Sequence, residues 1–191
     1  MRKQENFYYM KATGIVRRID DLGRIVVPKE IRRVLRIKEG DPMEIFTNRD
    51  GEIMLKKYSP IGELREFAST YAESLYEITG DLVCITDCDS VVAVAGPKRR
   101  EYDGKPLSKE LEQLIERRGS IQAGAADTAF IRITDEEKEN SCQEAISTII
   151  CNGDSIGSVV LYGRNPQRWQ PDVAKQLVRT AAQFLGKQME V

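Results

Sequence analysis

The stretch Gly14-Ile-Val-Arg17-Arg18-Ile-Asp20-Asp21-Leu-Gly23-Arg24-Ile-Val-Val-Pro28-Lys29-Glu-Ile31-Arg32-Arg33-Val34-Leu35 decides how this chain folds. Gly14 to Ile19 is rich in β-branched residues and reads as a strand. Asp20 to Gly23 is a turn, with glycine free to take positive φ. Arg24 to Val27 reads as a second strand, closed by Pro28, a residue suited to the start of a helix. Over Lys29–Leu35 the spacing puts Ile31, Val34 and Leu35 on one helical face, with Arg32 and Arg33 pointing away from it.

Working outward, Lys38-Glu-Gly40-Asp-Pro42 breaks the helix. Met43–Thr47 and Glu52–Lys57 then form a hairpin around Asn48-Arg49-Asp50-Gly51. A β-turn-β-α-β-turn-β unit of about fifty residues buries little of its surface, and lone domains below roughly 60 residues are marginal. With no disulfide or metal to staple it, dimerisation is the remaining way to enlarge its core.

Charge separates this unit from the rest. Residues 1–57 hold 14 lysines and arginines against nine acids, a net +5, whereas the remainder carries −6. One half suits a polyanion and the other does not.

Met10 to Pro60, including the Leu22-Gly-Arg-Ile-Val-Val-Pro28 core, resembles the AbrB-type, swapped-hairpin DNA-binding family. The resemblance implies a barrel-like dimer of interleaved hairpins that grips double-stranded DNA. It places DNA contacts at Arg17, Arg24, Arg32 and Arg33, with Lys11, Arg18 and Lys29 as weaker candidates. Arginine suits the role, because its planar fork meets phosphate oxygens or a guanine edge bidentately. The competing reading is that some of these arginines are merely solvated, or pair with Asp20, Asp21 or Glu30. The basic surface lacks Asn and Gln base readers, so we expect sequence-tolerant, shape-dependent binding at A/T-rich promoter regions.

Ser59-Pro60 should cap a linking helix over 59–80. Ile61, Leu64, Ala68, Tyr71, Leu75 and Ile78 form a heptad stripe on it. That stripe either pairs between chains, the oligomerisation role we favour, or packs on its own domain. Beyond it we expect strands at Asp81–Thr86, Val91–Ala95, Ala129–Thr134, Glu144–Cys151 and Ile156–Tyr162, with helices at Ser108–Arg118 and Pro171–Met189. This order, with its Asn152-Gly-Asp-Ser-Ile-Gly-Ser-Val-Val hairpin, resembles a GAF domain. The resemblance implies a pocket for a small molecule, with Ala95–Arg100 and Ser120–Ala129 as candidate walls, or a domain that only assembles chains.

The expected fold class is therefore α+β: a swapped-hairpin AbrB-type β-barrel dimer joined by a helix to a GAF-like α/β/α domain. Its parts are a disordered extension at 1–9, a DNA-binding domain at 10–58, the helix at 59–80 and the GAF-like domain at 81–191. The two-part plan with an acidic second half resembles the stage V sporulation protein T family. That implies a regulator, both activator and repressor, of sporulation genes, a homodimer through its basic domain and a homotetramer overall.

Other classes fit less well. The 191 residues include no histidine, which removes His-based acid–base chemistry and the usual zinc sites. Cys84, Cys88, Cys142 and Cys151 show no CxxC pair and read as small buried residues, so no metal and no cofactor is expected. Enzymatic carboxylates at Asp87, Asp89 or Asp135–Glu137 lack a supporting constellation. The apolar runs are strand-length, and Met1–Tyr9 lacks a secretory apolar core, so a cytoplasmic, nucleoid-associated protein with no membrane span is expected. The alternative is an antitoxin-type autorepressor that neutralises a toxin, against which the ordered second half argues.

Overall fold

The computed structural model describes residues 13–137 and 143–190. The chain divides into two compact units with the boundary at Pro42.

In the first unit Asp20 organises the expected turn. Its carboxylate accepts the Leu22 N–H (3.0 Å) and the Arg24 N–H (2.8 Å), and Gly23 takes φ 77°. The strands expected on either side, 14–19 and 24–27, do not form a ladder within the chain. A two-stranded ribbon this short is marginal unless its apolar side chains are covered, and here they are not: Val16 is 86% exposed and Val26 71%. Helix α1 (Lys29–Val34) starts directly after Pro28 and has no buried residue. The face expected to be apolar is open, with Val34 and Leu35 both exposed.

The second unit begins with the expected hairpin, β1 (Met43–Thr47) and β2 (Ile53–Lys57), paired antiparallel with Ile45 opposite Leu55. Asn48 Oδ1 accepts the N–H groups of Asp50 and Glu52, closing the turn. Ser59 caps the next helix as expected, its Oγ accepting the Gly62 N–H at 2.9 Å. The single helix expected over 59–80 is broken, however. Helix α2 (Pro60–Glu63) ends at Leu64, and α3 (Arg65–Thr79) continues from there. The break accompanies complete burial of Ile61 in the domain's own core.

A five-stranded antiparallel sheet follows. Its strands are β3 (Leu82–Thr86), β4 (Val91–Ala95), β5 (Ser120–Gly124), β6 (Gln143–Cys151) and β7 (Asp154–Gly163), in the order β4-β3-β7-β6-β5. Alternate residues feed two cores. Val83, Ile85, Ala145, Ile149, Val159 and Leu161 pack with α3 and α6 (Pro171–Gln188). Leu82, Cys84, Ile146, Val160 and Tyr162 pack with α4 (Arg99–Tyr102) and α5 (Lys109–Glu116). A sheet covered on both faces needs apolar residues at nearly every position, which is why these strands read as continuous apolar runs. Gly186 lets α6 approach β6, because a Cβ there would meet the Ile150 carbonyl.

Two elements were missed in the sequence, α4 and β5. One was misread: 129–134 is irregular chain, not a strand. It runs over the α5 side of the sheet and is pinned by side chains. Ser108 Oγ and the Ser108 N–H donate to the carbonyls of Arg132 and Ile133, while Tyr162 Oη donates to the Ile131 carbonyl. These bonds satisfy the backbone groups that a ladder would otherwise satisfy.

Candidate functional site

Every basic residue singled out within the described part of the N-terminal unit is exposed. Arg17 and Arg18 lie on the irregular chain before the turn. Lys29, Arg32 and Arg33 share α1, where spacings of three and four put them on neighbouring positions of one face. Arg24 is placed differently. Its Nε donates to Asp20 Oδ2 at 2.8 Å, one of the pairings the sequence left open. The Arg24 N–H and guanidinium hold the Asp20 carboxyl below its ordinary range. Arg24 thus clamps the turn through Nε. Lys11 lies outside the described residues, as do residues 1–9 and Cys142.

The heptad stripe on 61–78 is divided by the fold. Ile61, Ala68 and Leu75 are in the core facing the sheet, joined by Ala72, so they are not available for pairing between chains, a correction to the expected oligomerisation role. Leu64 and Ile78 are exposed, and Tyr71 is half-buried. The sequence reading missed Phe184 as their neighbour. Its ring stacks on Tyr71 at 5.4 Å and lies 6.0 Å from Phe67, which forms an aromatic cluster spanning the outer sides of α3 and α6.

On the opposite side of the sheet, the irregular chain 125–137 covers a group of ionisable side chains that sequence reasoning did not bring together. Glu144, on β6, is fully buried, and its Oε1 accepts the Ile131 N–H at 2.8 Å. Its Oε2 is buried too, without a hydrogen bond among the described residues, although the Tyr162 hydroxyl opposes part of the rise in its pKa. Burial pushes this carboxyl up to about 8. Glu137 is also raised by burial, although the Ile133 N–H and Tyr102 Oη both donate to it. Burial and the neighbouring Glu137 raise the phenols of Tyr102 and Tyr162 and the thiol of Cys84, which leaves Cys84 unreactive. The available signal was one acid near the head of an otherwise uncharged strand, Gln143-Glu144-Ala-Ile. Of the expected pocket walls, Pro97 lines a small cavity of about 100 Å³ together with Gly80, Asp81, Arg164 and Arg168. Among the described residues there is no metal-ligating cluster, and no helix is long and apolar enough to cross a membrane.

The C-terminal transcription-factor profile of stage V sporulation protein T matches residues 63–190, about two thirds of the chain. The chain belongs to the stage V sporulation protein T family. The family's member from Bacillus subtilis (strain 168) is 48% identical over 181 residues, covering 95% of this chain and 99% of that protein. The first part is also similar to other regulators. The transition state regulatory protein AbrB of B. subtilis is 56% identical over 52 residues, 27% of this chain and 53% of that one. A profile for antidote-toxin recognition by the bacterial antitoxin MazE matches residues 16–63.

Among solved structures, the cofactor-binding GAF domain of the nutrient sensor CodY from Clostridium difficile superposes with a TM-score of 0.51 at 14% identity, covering 63% of this chain and 83% of that one. Residues 122 to 287 of a methyl-accepting chemotaxis protein give 0.53 at 19%, covering 66% and 88%. At such identities the likeness concerns the fold, and the family's C-terminal part here is a GAF fold. The α+β class and the two-part plan expected from the sequence both hold.

Proposed function

We propose that this chain is a sequence-tolerant, DNA-binding regulator of sporulation genes, acting as activator and repressor by binding rather than by catalysis. The observation that carries the reading lies in residues 13–57. Apolar side chains at Ile15, Val16, Val26, Val34, Leu35, Ile45 and Ile53 are exposed there together with the basic residues. Exposed apolar surface on this scale marks an interface, and the occupant that completes a self-complementary core is a second copy. In that homodimer, residues 10–58 form the DNA-binding part. Arg17, Arg32 and Arg33 contact DNA, Arg24 does so through the terminal nitrogens of its fork, and Lys11, Arg18 and Lys29 contribute less. The proposed location is cytoplasmic, on the nucleoid.

Residues 59–190 assemble dimers into a homotetramer and sense a small molecule. The proposed contact is a second copy laid against Leu64, Phe67, Tyr71 and Phe184, the apolar outer sides of α3 and α6. The match over 16–63 favours a second reading, an antitoxin-type autorepressor. The doubly covered sheet stands where an antitoxin would carry a toxin-wrapping tail.

Eight arginines per dimer neutralising phosphates predict a log–log salt slope of about −7. Anisotropy of an A/T-rich duplex titrated across salt measures it, and a near-flat slope would overturn the reading. Arg32→Ala should weaken all sites alike and make the slope less steep by about two, because each of the two chains then neutralises one phosphate fewer.

A further inference from the structure

Two aspartates in the turn between β3 and β4 meet the chain that leaves the first hairpin. Asp89 Oδ2 lies 2.5 Å from the Nζ of Lys57, the last residue of β2, and the two side chains are only 20% and 21% exposed. Asp87 Oδ2 accepts the Ser59 hydroxyl at 3.0 Å, while the same Oγ accepts the Gly62 N–H and caps α2. Pro60 confines Ser59 to extended backbone, here φ −130° and ψ 103°. The link from β2 to α2 is thus held on both sides of the exposed Tyr58. A pair sheltered this far is costly to break from one side, because the remaining charge is left poorly solvated.

The same turn is tied to the cover at 125–137. Asp87 Oδ1 accepts the N–H groups of Asp89 (2.8 Å) and Ser90 (2.7 Å), which fixes the shape of the turn. The Asp89 carbonyl accepts the Leu107 N–H at 2.8 Å, and Leu107 is buried. Its neighbour Ser108 holds the cover, through its N–H to the Ile133 carbonyl and its Oγ to the Arg132 carbonyl. Cover, Ser108, Leu107, Asp89 and Lys57 form a continuous run of bonds that ends on β2. Coupling between distant sites travels through such runs where a hydrogen-bonded element has two arrangements.

We propose that the Asp87–Asp89 turn is a joint through which the cover over the GAF sheet controls the β1–β2 hairpin. Control of DNA binding by the joint rests on reading residues 10–58 as the DNA-binding part. A cover drawn off the sheet pulls on Ser108 and Leu107, shifts Asp89 and slackens its hold on Lys57; a seated cover keeps β2 in place. A held hairpin loses less freedom when two copies engage a duplex, so the tight joint favours binding.

Amide exchange followed by mass spectrometry on the full chain, with anisotropy of an A/T-rich duplex, tests this. Asp89→Asn removes the charge and keeps the side chain's shape. Exchange over residues 53–57 should quicken about fivefold or more, exchange in β3 and β7 should not change, and DNA affinity should fall about threefold or more. Reversing the pair, with Lys57→Glu and Asp89→Lys together, should return exchange towards the native rate. Ser108→Ala, which loses the bond to Arg132, should quicken exchange over 53–57 in the native background and add nothing in Asp89→Asn. Native exchange over 53–57 in Asp89→Asn overturns the joint. An equal effect of Ser108→Ala in both backgrounds overturns the route from the cover. A loosened hairpin with unaltered affinity overturns control of binding and leaves the DNA reading in place. A native chain without affinity for the duplex removes the DNA reading, and the exchange rates still decide the joint.

Discussion

Residues 13–57 and residues 59–190 are comparable in their share of aliphatic side chains, yet treat them in opposite ways. In the first region Val16, Val26 and Val34 are more than two-thirds exposed, and α1 buries nothing. In the second, strand after strand is buried along its whole length, because helices cover both faces of one sheet. The difference teaches that residues 59–190 bury their apolar side chains within one chain, whereas residues 13–57 leave theirs open. The same contrast recurs within α2 and α3, where Ile61, Ala68 and Leu75 serve the chain's own core and Leu64 and Phe67 face outward.

The largest effect should come from placing a charge in the incomplete half. Val26→Asp is expected to abolish dimerisation through the basic domain and to cost at least 100-fold in DNA affinity, measured by light scattering and anisotropy. The unfolding of residues 59–190 should stay unchanged. A variant that keeps its mass and DNA affinity would break the comparison.

Next come paired substitutions on α2 and α3. Ile61→Ala should destabilise the domain by about 2–5 kcal/mol in urea unfolding and leave the solution mass unaltered. Phe67→Glu should halve the mass of the proposed tetramer and move stability by less than about 1 kcal/mol. If Ile61→Ala changed assembly instead, the division of the stripe would be wrong.

The smallest effect is in pH dependence. Glu144 has its carboxyl raised from an ordinary 4.5 to about 8, so between these values the folded chain holds a proton that the unfolded chain has lost. Stability conferred by the protonated acid is complete below about 4.5 and is lost as pH rises towards about 8. The slope is at most about 1.4 kcal/mol per pH unit, and the raised Glu137 acts in the same direction. Glu144→Gln should flatten the decline in urea midpoints across pH 5 to 8, and an equally steep decline would remove Glu144 as its source.

Much of this was legible locally. The Asp20–Gly23 turn, the Asn48–Gly51 hairpin, the Ser59 and Ser108 caps and the Asn152-Gly153 turn are written in residues whose side chains or positive φ values satisfy the backbone within a few positions. Arg32 and Arg33 could be placed on an exposed face from the helical period alone. The irregular cover at 129–134 was not legible, since Phe-Ile-Arg-Ile alternates like a strand. What makes it irregular is Ser108, Glu144 and Tyr162 reaching it from elsewhere in the chain.

By itself, then, the sequence determined the division into a basic, under-cored segment and a self-sufficient acidic one, along with the turns and caps that shape them. Charge, length and near-neighbour hydrogen bonding are local properties, and a string of residues carries them openly. Only the tertiary structure decided that Asp20 holds Arg24 through Nε, that Ile61 turns inward while Phe67 meets Phe184, and that Glu144 is buried under the 125–137 cover. Apart from the Asp20–Arg24 pair, these depend on which distant segments the sheet brings together, and no local period records that.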